Sequence, residues 1–148
     1  MATPPLDPAS LERYDSLFVA PHGDDAALAC PGRLLGEAER GRRVLVLALF
    51  EPVGAESTAA RVVRDLGADY AAAGLGSAAG DAPGEDVGKE AARLLSLVGP
   101  RTQAVHVYAP LGLGHSAEHL LAYEAAVRTF ATEAGRNLFL YEERPEAF

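Results

Sequence analysis

The sequence predicts an α/β domain with a Rossmann-like, doubly wound parallel sheet of about five strands in the order 3-2-1-4-5 and helices on both faces. Two observations carry that expectation. Short, near-continuous apolar runs alternate along the chain with longer amphipathic stretches. The first and fourth runs are closed by Pro21 and Pro110, and near-continuous apolar runs of this length suit strands buried on both faces of a parallel sheet.

Taken in order, Ser16 to Ala20 is the first such run, closed by Pro21. Pro31 to Arg40 offers Leu34, Leu35 and Ala38 on one helical face, with Gly41 as the stop. Proline is best tolerated at a first helical position, so this helix is expected to start at Pro31 rather than at Asp25. Arg43 to Leu49 is the clearest strand. Thr58 to Leu66 reads as a helix with Val62, Val63 and Leu66 inward and Ser57 as N-cap. Asp69 to Ala73 gives a weak third strand, and Gly74 to Gly84 reads as a loop. Glu85 to Val98 places Val87, Ala91, Leu94, Leu95 and Val98 at helical spacing. Ala104 to Ala109 is the fourth strand, a helix runs from about Ser116 to Ala134 after a Gly-rich turn, and Asn137 to Tyr141 is the last strand.

The bulk properties narrow the class. At 148 residues the chain fits one domain, and a chain of this size needs no disulfide or structural metal to fold. A metal here would therefore serve chemistry. The formal charge of −8 argues against nucleic acid as a partner, since backbone binding rests on basic clusters. Lys89 is the sole lysine, which reads as a compositional bias. One cysteine, Cys30, leaves no internal disulfide and fits a reducing, cytoplasmic setting. Met1 to Pro5 does not have the form of a signal peptide, and Val44 to Phe50, the longest strongly apolar run, is too short to span a membrane.

The expected strand order sets the first and fourth strands side by side where the winding reverses, and ligands bind outside the carboxyl ends of strands at such a point. Pro21-His22-Gly23-Asp24-Asp25 leaves the first strand there, and Leu111 to His119 leaves the fourth at the same edge. His22 and Asp25 can face one direction from a turn, and His119, in the first turn of its helix, leans back toward the sheet edge. A His, Asp, His set with one position left open is what a catalytic zinc ion uses. Asp24, beside the chelating carboxylate, suits a general base toward the ion's water. A purely structural reading stands beside this one. An acid after a strand and before a helix often caps the helix and complements its dipole, and His22 could simply be a loop residue. The presence of His119 in the loop that meets the first favours the site. His115 and His119 are four apart, as two ligands on one helix face would be, although Ser116 as N-cap would leave His115 outside the helix. His106, inside a strand between Val105 and Val107, reads as structural, and Cys30 as a small buried residue.

Pro21-His22-Gly23-Asp24-Asp25 followed by Leu28-Ala29-Cys30-Pro31-Gly32 resembles the A-H-P-D-D opening of the LmbE/PIG-L family, metal-dependent and typically zinc-dependent deacetylases of N-acetylglucosamine-type sugars. Pro110-Leu111-Gly112-Leu113-Gly114 and Glu118-His119 are similar to its P-L-G-x-G and x-D-H signatures, and Tyr141-Glu142-Glu143-Arg144-Pro145 to a Y-E-D-x-P segment of one branch. The Val44 to Phe50 strand and the Leu66-Gly67-Ala68 turn match in place. The resemblance implies that His22, Asp25 and His119 hold Zn²⁺ or another divalent transition metal, with Asp24 as general base. A metal-bound water then attacks the acetamide carbonyl of an N-acetylated sugar or glycoconjugate. The family's histidine three residues before the last ligand, which stabilises the tetrahedral intermediate, is replaced by Ser116; His115, one residue earlier, is the candidate for that role. Gly23 stands for the usual proline, Glu118 for an aspartate, and Thr58 and Ala59 for an Arg/Glu-rich stretch. The chain is also short for the family. The missing parts usually shape the sugar pocket, which points to a small or different substrate, a site completed in a homo-oligomer, or lost activity.

Other functions fit less well. A degenerate metal-binding or structural domain without turnover is the main alternative. A serine hydrolase is disfavoured because Ser116 in Gly114-His115-Ser116-Ala117-Glu118 follows the strand at a distance, and Glu118 takes the place of the elbow's final glycine. Gly74 to Gly80 has one residue too many for a dinucleotide fingerprint and follows the wrong strand.

Overall fold

The computed structural model describes residues 13–54, 57–76, 85–98, 106–112, 117–131 and 135–142. Strands β1 (Ser16–Ala20), β2 (Val44–Ala48), β3 (Asp69–Ala72), β4 (His106–Pro110) and β5 (Asn137–Tyr141) alternate with helices α1 (Gly23–Ala29), α2 (Pro31–Glu39), α3 (Thr58–Asp65), α4 (Glu85–Val98) and α5 (Ala117–Phe130). The strands form one sheet in the order β3-β2-β1-β4-β5, and all four pairings are parallel. β1 is central: Phe18 lies opposite Val46 on one side and Tyr108 on the other.

Alternation of side chains along the strands divides the interior in two. Leu17 and Val19 join Leu45, Leu47, Val107 and Ala109 beneath Ala91 and Leu95 of α4 and Ala122, Ala126 and Phe130 of α5. Phe18 and Ala20 turn to the opposite face, with Val46, Ala48 and Tyr108, and are covered by Ala26 of α1, Leu34 of α2 and Ala60 and Val63 of α3. Burial on both faces explains why the strand runs are continuously apolar.

Three sequence expectations are corrected. A helix does begin near Asp25: α1 starts at Gly23, ahead of Pro31. Pro31 opens a second helix, α2, and Cys30 between them takes φ −141° and ψ 51°, as a residue before proline avoids the helical region. Leu35, expected inward, is exposed, and Glu37 with Leu34 takes the inner face. In α3, Ala60 and Val63 face the sheet and Val62, about 100° further round the helix, points outward. The Ser57 hydroxyl accepts from the Ala60 amide at 3.0 Å, as expected of an N-cap. The expected ends at Ala104, Ser116 and Ala134, the side chain of Val98, and most of the Gly74 to Gly84 loop lie outside the described residues.

Glu37 is wholly buried at the amino end of the sheet. Its carboxylate accepts from the Ser16 hydroxyl, from Arg42 Nη1 at 2.8 and 2.9 Å and from the Tyr108 hydroxyl at 3.2 Å. His106 Nδ1 lies 3.6 Å away, which gives that histidine the structural place expected of it. Burial alone would raise the pKa of Glu37, but the bonds from Arg42, Ser16 and Tyr108 outweigh it and hold the pKa down at about 2. A carboxylate whose pKa falls on folding stabilises the fold above its unfolded value, and that contribution disappears as pH falls through the folded value. Glu37→Gln is expected to cost on the order of 3 kcal/mol at pH 7. The gap to the unmutated chain should narrow as pH drops from about 4.5 toward 2. Urea unfolding at a series of pH values measures it; a gap independent of pH would refute the assignment.

Candidate functional site

The site lies at the carboxyl edge of β1, β2 and β4. After β1 the chain passes through Pro21, whose carbonyl accepts the Phe50 amide at 2.9 Å, and His22 sits in extended conformation (φ −124°, ψ 163°) as the N-cap of α1. Asp25 Oδ2 accepts the His22 amide at 2.8 Å, so Asp25 does act as a helix-end residue. Its second oxygen faces elsewhere: Oδ1 lies 3.4 Å from Nε2 of His119, in the first turn of α5. The same carboxylate thus closes the local turn and meets a residue ninety-four positions on.

His119 is buried. Burial raises the pKa of Asp25, opposed by the His22 amide and the nearby imidazole of His119. His22 is part-exposed, and its two ring nitrogens face different carboxylates. Nε2 contacts Glu118 Oε2, from the same turn as His119, and Nδ1 lies 3.7 Å from Glu51 Oε1. Glu51 Oε1 also accepts the Gly23 amide at 3.2 Å. Asp24 is exposed beside this cluster.

The edge therefore brings together His22, Asp25 and His119, with Glu118 and Glu51 on the imidazole of His22. Two imidazoles and a carboxylate are a donor set suited to zinc or a neighbouring divalent metal. As arranged, no three His, Cys, Asp or Glu side chains among the described residues already surround one point as a metal cage. The imidazole Nε2 atoms face carboxylates instead. The donor chemistry fits a divalent ion. His115 and Ser116 lie outside the described residues. Cys30 is part-buried, its Sγ 3.3 Å from the Ala26 carbonyl, and burial pushes its thiol to a pKa of about 12, unlike a reactive thiolate.

Glu51 escaped the sequence reading. Its signal was positional: it directly follows the clearest apolar run, so it emerges at the same edge as His22 once β2 is known to neighbour β1. Glu118 was visible only as a departure from an expected aspartate.

Fold and edge together define a Rossmann-like α/β domain whose carboxyl edge gathers acids and imidazoles. No family model and no curated protein matches the sequence. Solved structures do match. The conserved protein TT1542 from Thermus thermophilus superposes with a TM-score of 0.64 at 26% identity, over 90% of this chain and 69% of its own. The N,N'-diacetylchitobiose deacetylase from Pyrococcus horikoshii gives 0.60 at 17% identity, over 85% of this chain and 59% of its own. The zinc-inhibited form of the teicoplanin deacetylase Orf2 gives 0.65 at 16% identity, over 88% and 68%. The chain thus spans between 59% and 69% of the length of these three proteins. Its fold is that of the LmbE/PIG-L-type deacetylases its motifs resemble. Among the described residues no helix is long and apolar enough to cross a membrane.

Gly23 lies close against the far end of the Tyr70 side chain. A Cβ there would overlap the Tyr70 hydroxyl and lie 2.9 Å from two of its ring carbons. Tyr70 is buried, so it has little room to withdraw. Gly23→Ala is expected to destabilise the protein by about 1–3 kcal/mol, and Tyr70→Phe in the same chain, by removing the nearest atom, should return part of that loss. Denaturant midpoints of the single and double variants test this; no recovery in the double variant would show the strain lies elsewhere.

Proposed function

We propose that this protein is a metal-dependent hydrolase that deacetylates an N-acetyl amino sugar or a related small amide, releasing acetate and the free amine. The observation that carries the reading is the 3.4 Å approach of His119 Nε2 to Asp25 Oδ1. It joins the two segments that resemble the deacetylase motifs, from the first and fourth strands. His22, Asp25 and His119 would hold the ion, Zn²⁺ or another divalent transition metal, which when bound supplies positive charge that polarises the acyl carbonyl and acidifies water. Asp24, exposed and adjacent to the ligand carboxylate but not needed for chelation, takes the proton from the attacking water and can pass it to the leaving amine. His115 is assigned to stabilise the negative charge that develops on the acyl oxygen. The single cysteine, with its unreactive thiol, suits the cytoplasm.

A second reading, a domain that keeps the fold and binds metal without turnover, draws support from the contact of Glu118 with His22 Nε2 and from Ser116 in the place of the family's histidine. One experiment separates the two. Zinc-loaded protein incubated with simple N-acetyl sugars is expected to release acetate. Chelation should abolish the release, and Asp24→Asn should lower the rate by about 10²–10⁴-fold. Bound zinc with only background hydrolysis, unchanged in Asp24→Asn, would favour the non-catalytic domain.

A further inference from the structure

The ring of His22 is gripped from a side that the metal reading leaves unused. Nε2 faces the turn that carries Glu118 and His119, whereas Nδ1, on the other side of the ring, lies at ion-pair distance from Glu51, 3.7 Å from Oε1. We propose that Glu51 is a positioning residue for His22, holding Nδ1 toward a fixed carboxylate so that Nε2 is the atom presented to a cation. The inference rests on His22 being a metal ligand, as argued above.

Two features fix Glu51 in this position. Its carbonyl accepts the Gly74 amide at 2.9 Å, and the neighbouring Phe50 amide is bound to the Pro21 carbonyl at 2.9 Å, so the backbone is tied to both the β1 and β3 ends of the edge. Its carboxylate accepts the Gly23 amide at 3.2 Å. The Tyr70 hydroxyl packs into the space at Gly23, where the negative charge of Glu51, after burial, opposes its ionisation.

The identity of residue 23 permits the arrangement. Where the resembling motif has proline, there is no N–H to donate, and a proline ring would also enter the space Tyr70 fills. Glycine supplies the donor and leaves the space open. Gly23, Glu51 and Tyr70 thus form one unit behind His22. An imidazole that ligates a metal through one nitrogen is oriented by an acceptor at the other, and loss of that acceptor commonly weakens metal binding.

The test measures zinc affinity by competition with a chromophoric chelator in the full chain and in Glu51→Ala and Glu51→Gln. Thermal unfolding of the metal-free proteins serves as the control for folding. Glu51→Ala is expected to bind zinc about 10–100-fold more weakly. Glu51→Gln, which keeps an oxygen that accepts the Gly23 amide and faces His22 Nδ1, should recover most of that loss. Equal affinity in the full chain and Glu51→Ala would overturn the positioning role and leave the metal reading standing. If the unmutated chain binds no zinc, the metal reading falls, and ring order then decides. His22 and Phe50 rings lie 6.4 Å apart, so a cross-relaxation signal between them that is lost in Glu51→Ala and kept in Glu51→Gln would support the orienting contact. A signal unchanged in both would overturn it.

Discussion

The parallel pairing of β1 with β2 on one side and β4 on the other is the constraint from which the site follows. It brings the chain out of β1, β2 and β4 at one edge, so residues from distant parts of the sequence become neighbours without any long loop. Burial of β1 on both faces, by Leu17 and Val19 one way and Phe18 and Ala20 the other, removes the freedom to slip register. A shift by one residue would exchange the two core faces and carry His22 away from His119.

Asp25 shows how local and long-range demands meet in one side chain. A helix beginning one residue after an extended segment needs its first amides satisfied, and Oδ2 does this for His22. A carboxylate has a second oxygen, and here it points across the edge to His119. Capping and candidate chemistry are therefore not rival explanations of the same residue. The cap holds the carboxylate in the orientation that makes the longer contact.

The strands, their order and the convergence of His22, Asp25 and His119 at one edge were legible because apolar runs and their spacing carry that information directly. The break between α1 and α2 was half legible. Pro31 announced the start of α2, but a seven-residue helix in front of it leaves too little pattern to read. Glu37 was hidden for a different reason. A glutamate between apolar positions reads as a surface residue unless Ser16, Arg42 and Tyr108, far apart in sequence, are known to meet it. The same holds for Tyr70, which reads as strand core until the glycine it presses against is located. What sequence pattern misses in each case is polar complementarity between segments, which has no period.

The ionic cluster around Glu37 sits at the amino end of the sheet, and the acids and imidazoles at the opposite end. The buried carboxylate and the candidate site thus lie at opposite poles of the same strands. Substitutions among the acids and imidazoles of one end therefore need not loosen the buried carboxylate that anchors the strands from below.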